Sequence, residues 1–172
     1  MDYKVQNLAK IIAVSDLIVS IYLFIMAIIF GIGTFAIAFL GVVTIVIGIG
    51  IIFLLCAGYA GGISIWAVSS AVLYFKSSRA FRAISKEDCE LSDIDVNLYK
   101  KKWYKEIINM AIGIVVLLSV LKYAFKEVFE GASTDSVTIC TVAISIVALG
   151  AFILSFFSKR KIFKYMTSYV GE

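Results

Sequence analysis

The chain has 172 residues, 62% of them hydrophobic and 16% charged, with a mean hydropathy of +1.00 and a formal net charge of +4. Soluble domains carry about 45–50% apolar residues, so this composition excludes one and places residues 1–172 in a single membrane domain. Histidine and proline are both absent, which removes imidazole acid–base chemistry, Ser-His and Cys-His pairs and histidine-ligated metals, and leaves helix kinks to glycine or serine.

The first apolar segment opens at Leu8, and from Leu17 to Phe75 there is no Asp, Glu, Lys or Arg. That run is about three times the ~20 residues one crossing requires. The glycine clusters Gly31-Ile32-Gly33 and Gly58-Tyr59-Ala60-Gly61-Gly62 are its expected turns, giving spans at about 8–30, 34–57 and 62–76. Ala36-Ile37-Ala38 resembles a signal cleavage site, but the stretch before it is too long and contains Asp16, so no cleaved signal is expected. Asp16 itself lies inside the first span beside Ser15 and Ser20. A carboxylate at that depth costs about 2.5–3.5 kcal/mol on insertion scales, which makes it a candidate polar site in need of a partner.

The second span carries small residues at Thr34, Ala38, Gly41 and Gly48, and Gly58-x-x-x-Gly62 adds a small-xxx-small pair. Small side chains let helix backbones approach closely where lipid removes the hydrophobic drive. Gly41, Gly48, Gly58 and Gly62 are therefore the expected helix-packing positions, within one bundle or between copies. Cys56 and Cys140 fall in apolar segments and read as small packing residues, while Cys89 falls in a polar loop. No CxxC pair or other ligand spacing points to a metal or cofactor.

The loop over 77–105 is basic to Lys86, acidic from Glu87 to Asp95, and then basic and aromatic. A calcium loop begun at Asp88 fails, because its sixth position is Asp93 and its twelfth Tyr99. Ser85, three residues before Asp88, reads as a helix N-cap. Lys100, Lys101, Lys102, Trp103, Tyr104 and Lys105 read as an interfacial anchor on anionic headgroups rather than a nucleic-acid site. The fourth span, about 106–126, holds Asn109 and Lys122 as further intramembrane polar candidates. Lys122 and Lys126 can also snorkel outward on their long stems. A short polar stretch, Glu127 to Ser136, precedes the fifth span at about 136–158 and the basic tail 159–172.

Lys and Arg concentrate in the loop 77–105 and in the tail, which places both on the cytoplasmic side of a cell membrane. An all-α polytopic transmembrane helix bundle follows, with five spans preferred and the N-terminus outside. Four spans are the alternative, with residues 34–75 as one overlong helix and the N-terminus inside. Asp16 then meets Lys122 in the first case and Asn109 in the second. No catalytic constellation is visible, so the expected function is non-enzymatic: an accessory, immunity or interaction subunit working on a membrane-protein partner or as a homo-oligomer. The alternative is an oligomeric ion channel or small-solute transporter that uses Asp16 and Lys122.

Overall fold

In the computed structural model the residues described are 3–45, 48–86, 107–119, 122 and 136–169. They form an all-α chain of four helices: α1 (Tyr3–Val43), α2 (Gly50–Ser85), α3 (Ile107–Ser119) and α4 (Ser136–Tyr169). The helices α1, α2 and, within α4, Ile139–Lys164 are each long and apolar enough to cross a membrane, and α3 is a shorter apolar helix. Large apolar side chains point outward along them, Phe35 being 80% exposed and Ile65 74%. A continuous apolar exterior of this kind suits lipid, not water. The expected fold class, a helical membrane bundle, is the one these helices form.

The helix boundaries differ from those expected. Helix α1 runs unbroken through Gly31–Gly33 and α2 through Gly58–Gly62, so two continuous helices stand where the glycine clusters were expected to make three segments. In apolar surroundings a main-chain N–H or C=O has no water to turn to, and keeping its helical bond outweighs the ~1 kcal/mol helix penalty of glycine. Nor do residues 34–75 form one helix, because α1 ends at Val43 and α2 begins at Gly50.

The connection between them is built by backbone chemistry. Thr44 N–H and its hydroxyl both donate to the Leu40 carbonyl, at 3.0 and 2.7 Å, closing α1. Gly48 then takes φ +78°, a left-handed conformation open to glycine, and its N–H donates to the Ile45 carbonyl at 3.1 Å. Gly50 N–H donates to Thr44 O at 3.2 Å. A side chain on Gly50 would collide with the Gly41 carbonyl and the Ile45 backbone.

Two further boundaries move. Helix α2 continues through residues 77–85, assigned to the loop by sequence, and Ser85, its last residue, donates to the Arg82 carbonyl at 2.9 Å; the acidic turn it was expected to cap lies outside the described residues. Helix α4 continues past 158 to Tyr169, so most of the expected tail is helical. The anchor residues Lys100, Lys101, Lys102, Trp103, Tyr104 and Lys105 lie outside the described residues.

The chain divides into two compact units, residues 20–74 and residues 1–19 with 75–172. In the first, α1 and α2 touch at positions seven residues apart. Ser20 Oγ donates to the Ala71 carbonyl at 2.9 Å, and Ser64 Oγ to the Ala27 carbonyl at 2.8 Å. Thr34 satisfies its hydroxyl on its own Phe30 carbonyl at 2.7 Å and turns its methyl toward Gly61. A Cβ on Gly41 would sit 3.0 Å from Leu54 Cγ. Seven is the step at which two antiparallel helices keep one seam in contact.

For packing within the chain, this seam changes the expectation at three of the four glycines. Gly41 is buried in close contact, as its packing role requires, whereas Gly48 belongs to the turn. Gly58 and Gly62 face outward with open space where a Cβ would stand. The packed side of α2 is instead Ala57, Ala60, Gly61 and Ser64. Cys56 and Cys140 are also exposed, not packed.

Candidate functional site

In the second unit the buried residues of α1 include Val5, Ala9, Ile12, Asp16 and Val19, in steps of four and three, with Ala13 and Ser15 beside them. Those of α4 include Ser145, Ala148, Phe152, Ser155, Lys159 and Ile162, with Ala151 and Ser158 beside them. Such steps keep side chains on one face of a helix. Among these buried residues Asp16 and Lys159 are the charged ones, and Ser155 lies on the same stripe of α4 as Lys159. Asp16, Ser155 and Lys159 have exposures of 0, 2 and 3%.

They meet. Ser155 Oγ donates to Asp16 Oδ1, and Lys159 Nζ lies 2.9 Å from Asp16 Oδ2. Oδ2 accepts no hydrogen bond among the described residues, so the lysine contact is an ion pair whose geometry is not that of a hydrogen bond. Ser155 and Lys159 are four residues apart, one turn along α4, which is why both reach the same carboxylate. Coulomb attraction between unit charges is strong where water is excluded, and each charge here offsets the desolvation cost of the other.

The surroundings hold the pair in place. Leu8, Ala9, Ile12 and Ala13 of α1 form an apolar cluster with Phe81 and Ile84 of α2 and Ile162 of α4. Ser78 Oγ of α2 donates to the Ala13 carbonyl at 2.6 Å, fixing α2 to α1 one turn from Asp16. On α3, Gly113 is buried against Phe152, which a Cβ would approach to 3.0 Å. Phe152 lies one turn before Ser155, so the ring fixes the stretch of α4 that carries the polar pair.

Asp16 is therefore a buried, partnered carboxylate, as its position in an apolar segment required, but with neither of the expected partners. Lys122 is exposed and Asn109 is half-buried, and neither is bonded to Asp16. Lys159 escapes a reading by charge because it opens the run Lys159-Arg160-Lys161, which looks like the basic end of a span. The signal that would have found it is the three-and-four step of α4 carried beyond Ser158: Lys159 lies on the buried stripe, and its neighbours Arg160 and Lys161 do not. Among the described residues no three His, Cys, Asp or Glu side chains gather as a metal site would require. Comparison of the chain with protein-family models, with curated proteins and with solved structures finds no match.

Proposed function

We propose that this chain is a non-enzymatic subunit of the cell membrane, an accessory, immunity or interaction protein that acts through helix contacts with another membrane protein. The observation that carries the reading is the state of Asp16. Conducting or relaying an ion calls for a carboxylate that can be reached and can change partners, whereas this one is fully buried, with Ser155 on one oxygen and Lys159 on the other. The channel or transporter alternative also loses its proposed pair, since Lys122 is not the partner of Asp16. What the chain offers to its surroundings is a long apolar exterior. At about 1.5 Å per residue, α1 with 41 residues and α2 with 36 are roughly 60 and 54 Å long, about twice the hydrocarbon thickness.

A topology of four crossings, in place of the five preferred from sequence, takes α1, α2 and α4 as one crossing each and the expected span at about 106–126, of which α3 is the described part, as the other. Cations then collect on one side: Lys4 and Lys10 at the start of α1, Lys76 to Lys86 at the end of α2, and Arg160 to Lys164 at the end of α4. By the positive-inside tendency that side is cytoplasmic, and it includes the N-terminus as well as the loop after α2 and the C-terminus.

Two measurements test the reading. A reporter fused to Met1 should be cleaved by protease added to cytoplasmic-face-out vesicles, and protection would overturn the topology. Mild detergent extraction after cross-linking should recover a defined membrane-protein partner. A chain that stays alone and supports Asp16-dependent ion flux in liposomes would overturn the function.

A further inference from the structure

Where the helices end, the exposed faces change character. Helix α2 carries no charge from Gly50 to Phe75 and then presents Lys76, Arg79 and Arg82, with Lys86 just beyond it. Helix α4 is uncharged from Ser136 to Ser158, and beyond the buried Lys159 it presents Arg160 and Lys161. Lys10 stands on the same stretch of α1 as Ala9 and Ile12. All seven of these cations are exposed. They interleave with the cluster of Leu8, Ala9, Ile12, Ala13, Phe81, Ile84 and Ile162, which joins the three helix ends, so this apolar core is ringed by positive charge.

We propose that this ring is a binding surface for the phosphate groups of anionic lipids, formed by residues other than the basic-aromatic run at 100–105. Register directs the charges outward: Arg79 and Arg82 alternate with buried Ser78, Phe81 and Ile84, and Arg160 and Lys161 sit between buried Lys159 and Ile162. Along these described stretches the one acid is Asp16, and it is enclosed with Lys159, so the described residues of the exposed face carry a single sign. Three of the seven are arginines, whose forked donors match phosphate oxygens.

The neighbouring exposed residues favour a lipid over an acidic protein. Ile11, Val14 and Phe75 are 39, 54 and 46% exposed beside the cations, and basic side chains mixed with outward apolar ones suit the boundary between headgroups and acyl chains. The charges also begin where the uncharged sequence ends. The uncharged part of α2 is roughly 39 Å long, enough to cross about 30 Å of hydrocarbon and bring Lys76 to headgroup level.

The test uses the full chain in phosphatidylcholine bilayers with a small fraction of spin-labelled phosphatidylglycerol or spin-labelled phosphatidylcholine. The measured quantity is the fraction of label immobilised on the protein. Phosphatidylglycerol should be favoured by about fivefold, the worth of one cation in contact with an anionic surface. The variant R79Q/R82Q/R160Q/K161Q should lose most of that preference while its unfolding temperature stays unchanged. Should it fail to insert, R160Q/K161Q alone and the unaltered chain at high salt provide the same comparison. Equal immobilisation of the two lipids, or a preference intact in these variants, overturns the proposal. So does loss of the preference to inorganic phosphate or to polyglutamate at matched ionic strength, since either assigns the surface to a soluble anion or an acidic protein.

Discussion

Residues 20–74 and the unit around Asp16 both hold apolar helices together where the hydrophobic effect between helices is weak; both use serine hydroxyls on carbonyls of a neighbouring helix, and the second adds a buried charge pair. The hairpin uses small side chains and serine hydroxyls that donate to carbonyls of the other helix, Ser20 to Ala71 and Ser64 to Ala27. The Asp16 unit uses a buried ion pair between side chains 143 residues apart in numbering, with Ser155 beside it. Interhelical hydrogen bonds in membranes average about 0.6 kcal/mol each, so close backbone approach must supply most of the hairpin's cohesion. A buried ion pair broken on one side loses about 3–5 kcal/mol. The first unit is thus held by weak, repeated contacts, and the second adds one strong charged contact to contacts of that same kind, Ser78 on the Ala13 carbonyl and the apolar cluster around Ile12.

The largest expected effect follows from that contrast. Asp16→Ala takes the carboxylate away from the enclosed Lys159 ammonium and should cost up to about 3–5 kcal/mol, read as a lower midpoint of unfolding in detergent. Replacing both, as D16L/K159M, should restore most of that stability, because a well-packed apolar pair also removes the desolvation cost. A double variant as weak as the single one would show that Asp16 does something other than neutralise Lys159.

Next in size is the turn. Gly50→Ala places a methyl against the Gly41 carbonyl and the Ile45 backbone, neither of which is a flexible side-chain end. Overpacking of this kind costs about 1–3 kcal/mol. Protease sensitivity of the connection between α1 and α2 in detergent is the direct readout, and an unchanged digestion pattern would count against the turn as described.

The turn also shows how far the sequence could be read. Gly31-Ile32-Gly33 and Gly48-Ile49-Gly50 are the same tripeptide, yet the first stays within α1 and the second joins two helices. Local composition therefore cannot decide between them. What separates them is a longer pattern, a small residue at every seventh position in Ala13, Ser20, Ala27, Thr34 and Gly41, and again in Gly50, Ala57, Ser64, Ala71 and Ser78. The two series read in opposite directions around residues 44–49, as a folded hairpin demands. The all-α class, the apolar exterior and the need of Asp16 for a partner were legible, because they depend on composition and on the cost of one charge. The identity of that partner depends on α4 remaining helical past Ser158, which the charge run Lys159-Arg160-Lys161 hides.

Smaller effects belong to the hairpin hydroxyls. Ser20→Ala and Ser64→Ala should each cost about 0.6 kcal/mol and at most about 1.7, and the two should add, because the sites lie one repeat apart without shared partners. A loss from either comparable to that of Asp16→Ala would erase the distinction between the two units.

The smallest effect is expected at Gly58 and Gly62, and it isolates the chain's own packing from contacts between chains. A Cβ at either position meets nothing within 4 Å, and alanine is the better helix former by up to about 1 kcal/mol per site. The variant G58A/G62A should therefore unfold at the same midpoint as the unaltered chain or slightly above it. Bulk matters at this pair if a second helix is seated there, since small-xxx-small pairs act by letting two backbones come close. Comparing G58A/G62A with G58L/G62L separates the cases. Equal stability and equal recovery of a cross-linked partner in both assigns the face to lipid. Partner recovery that falls only with leucine places the subunit's contact on this side of α2.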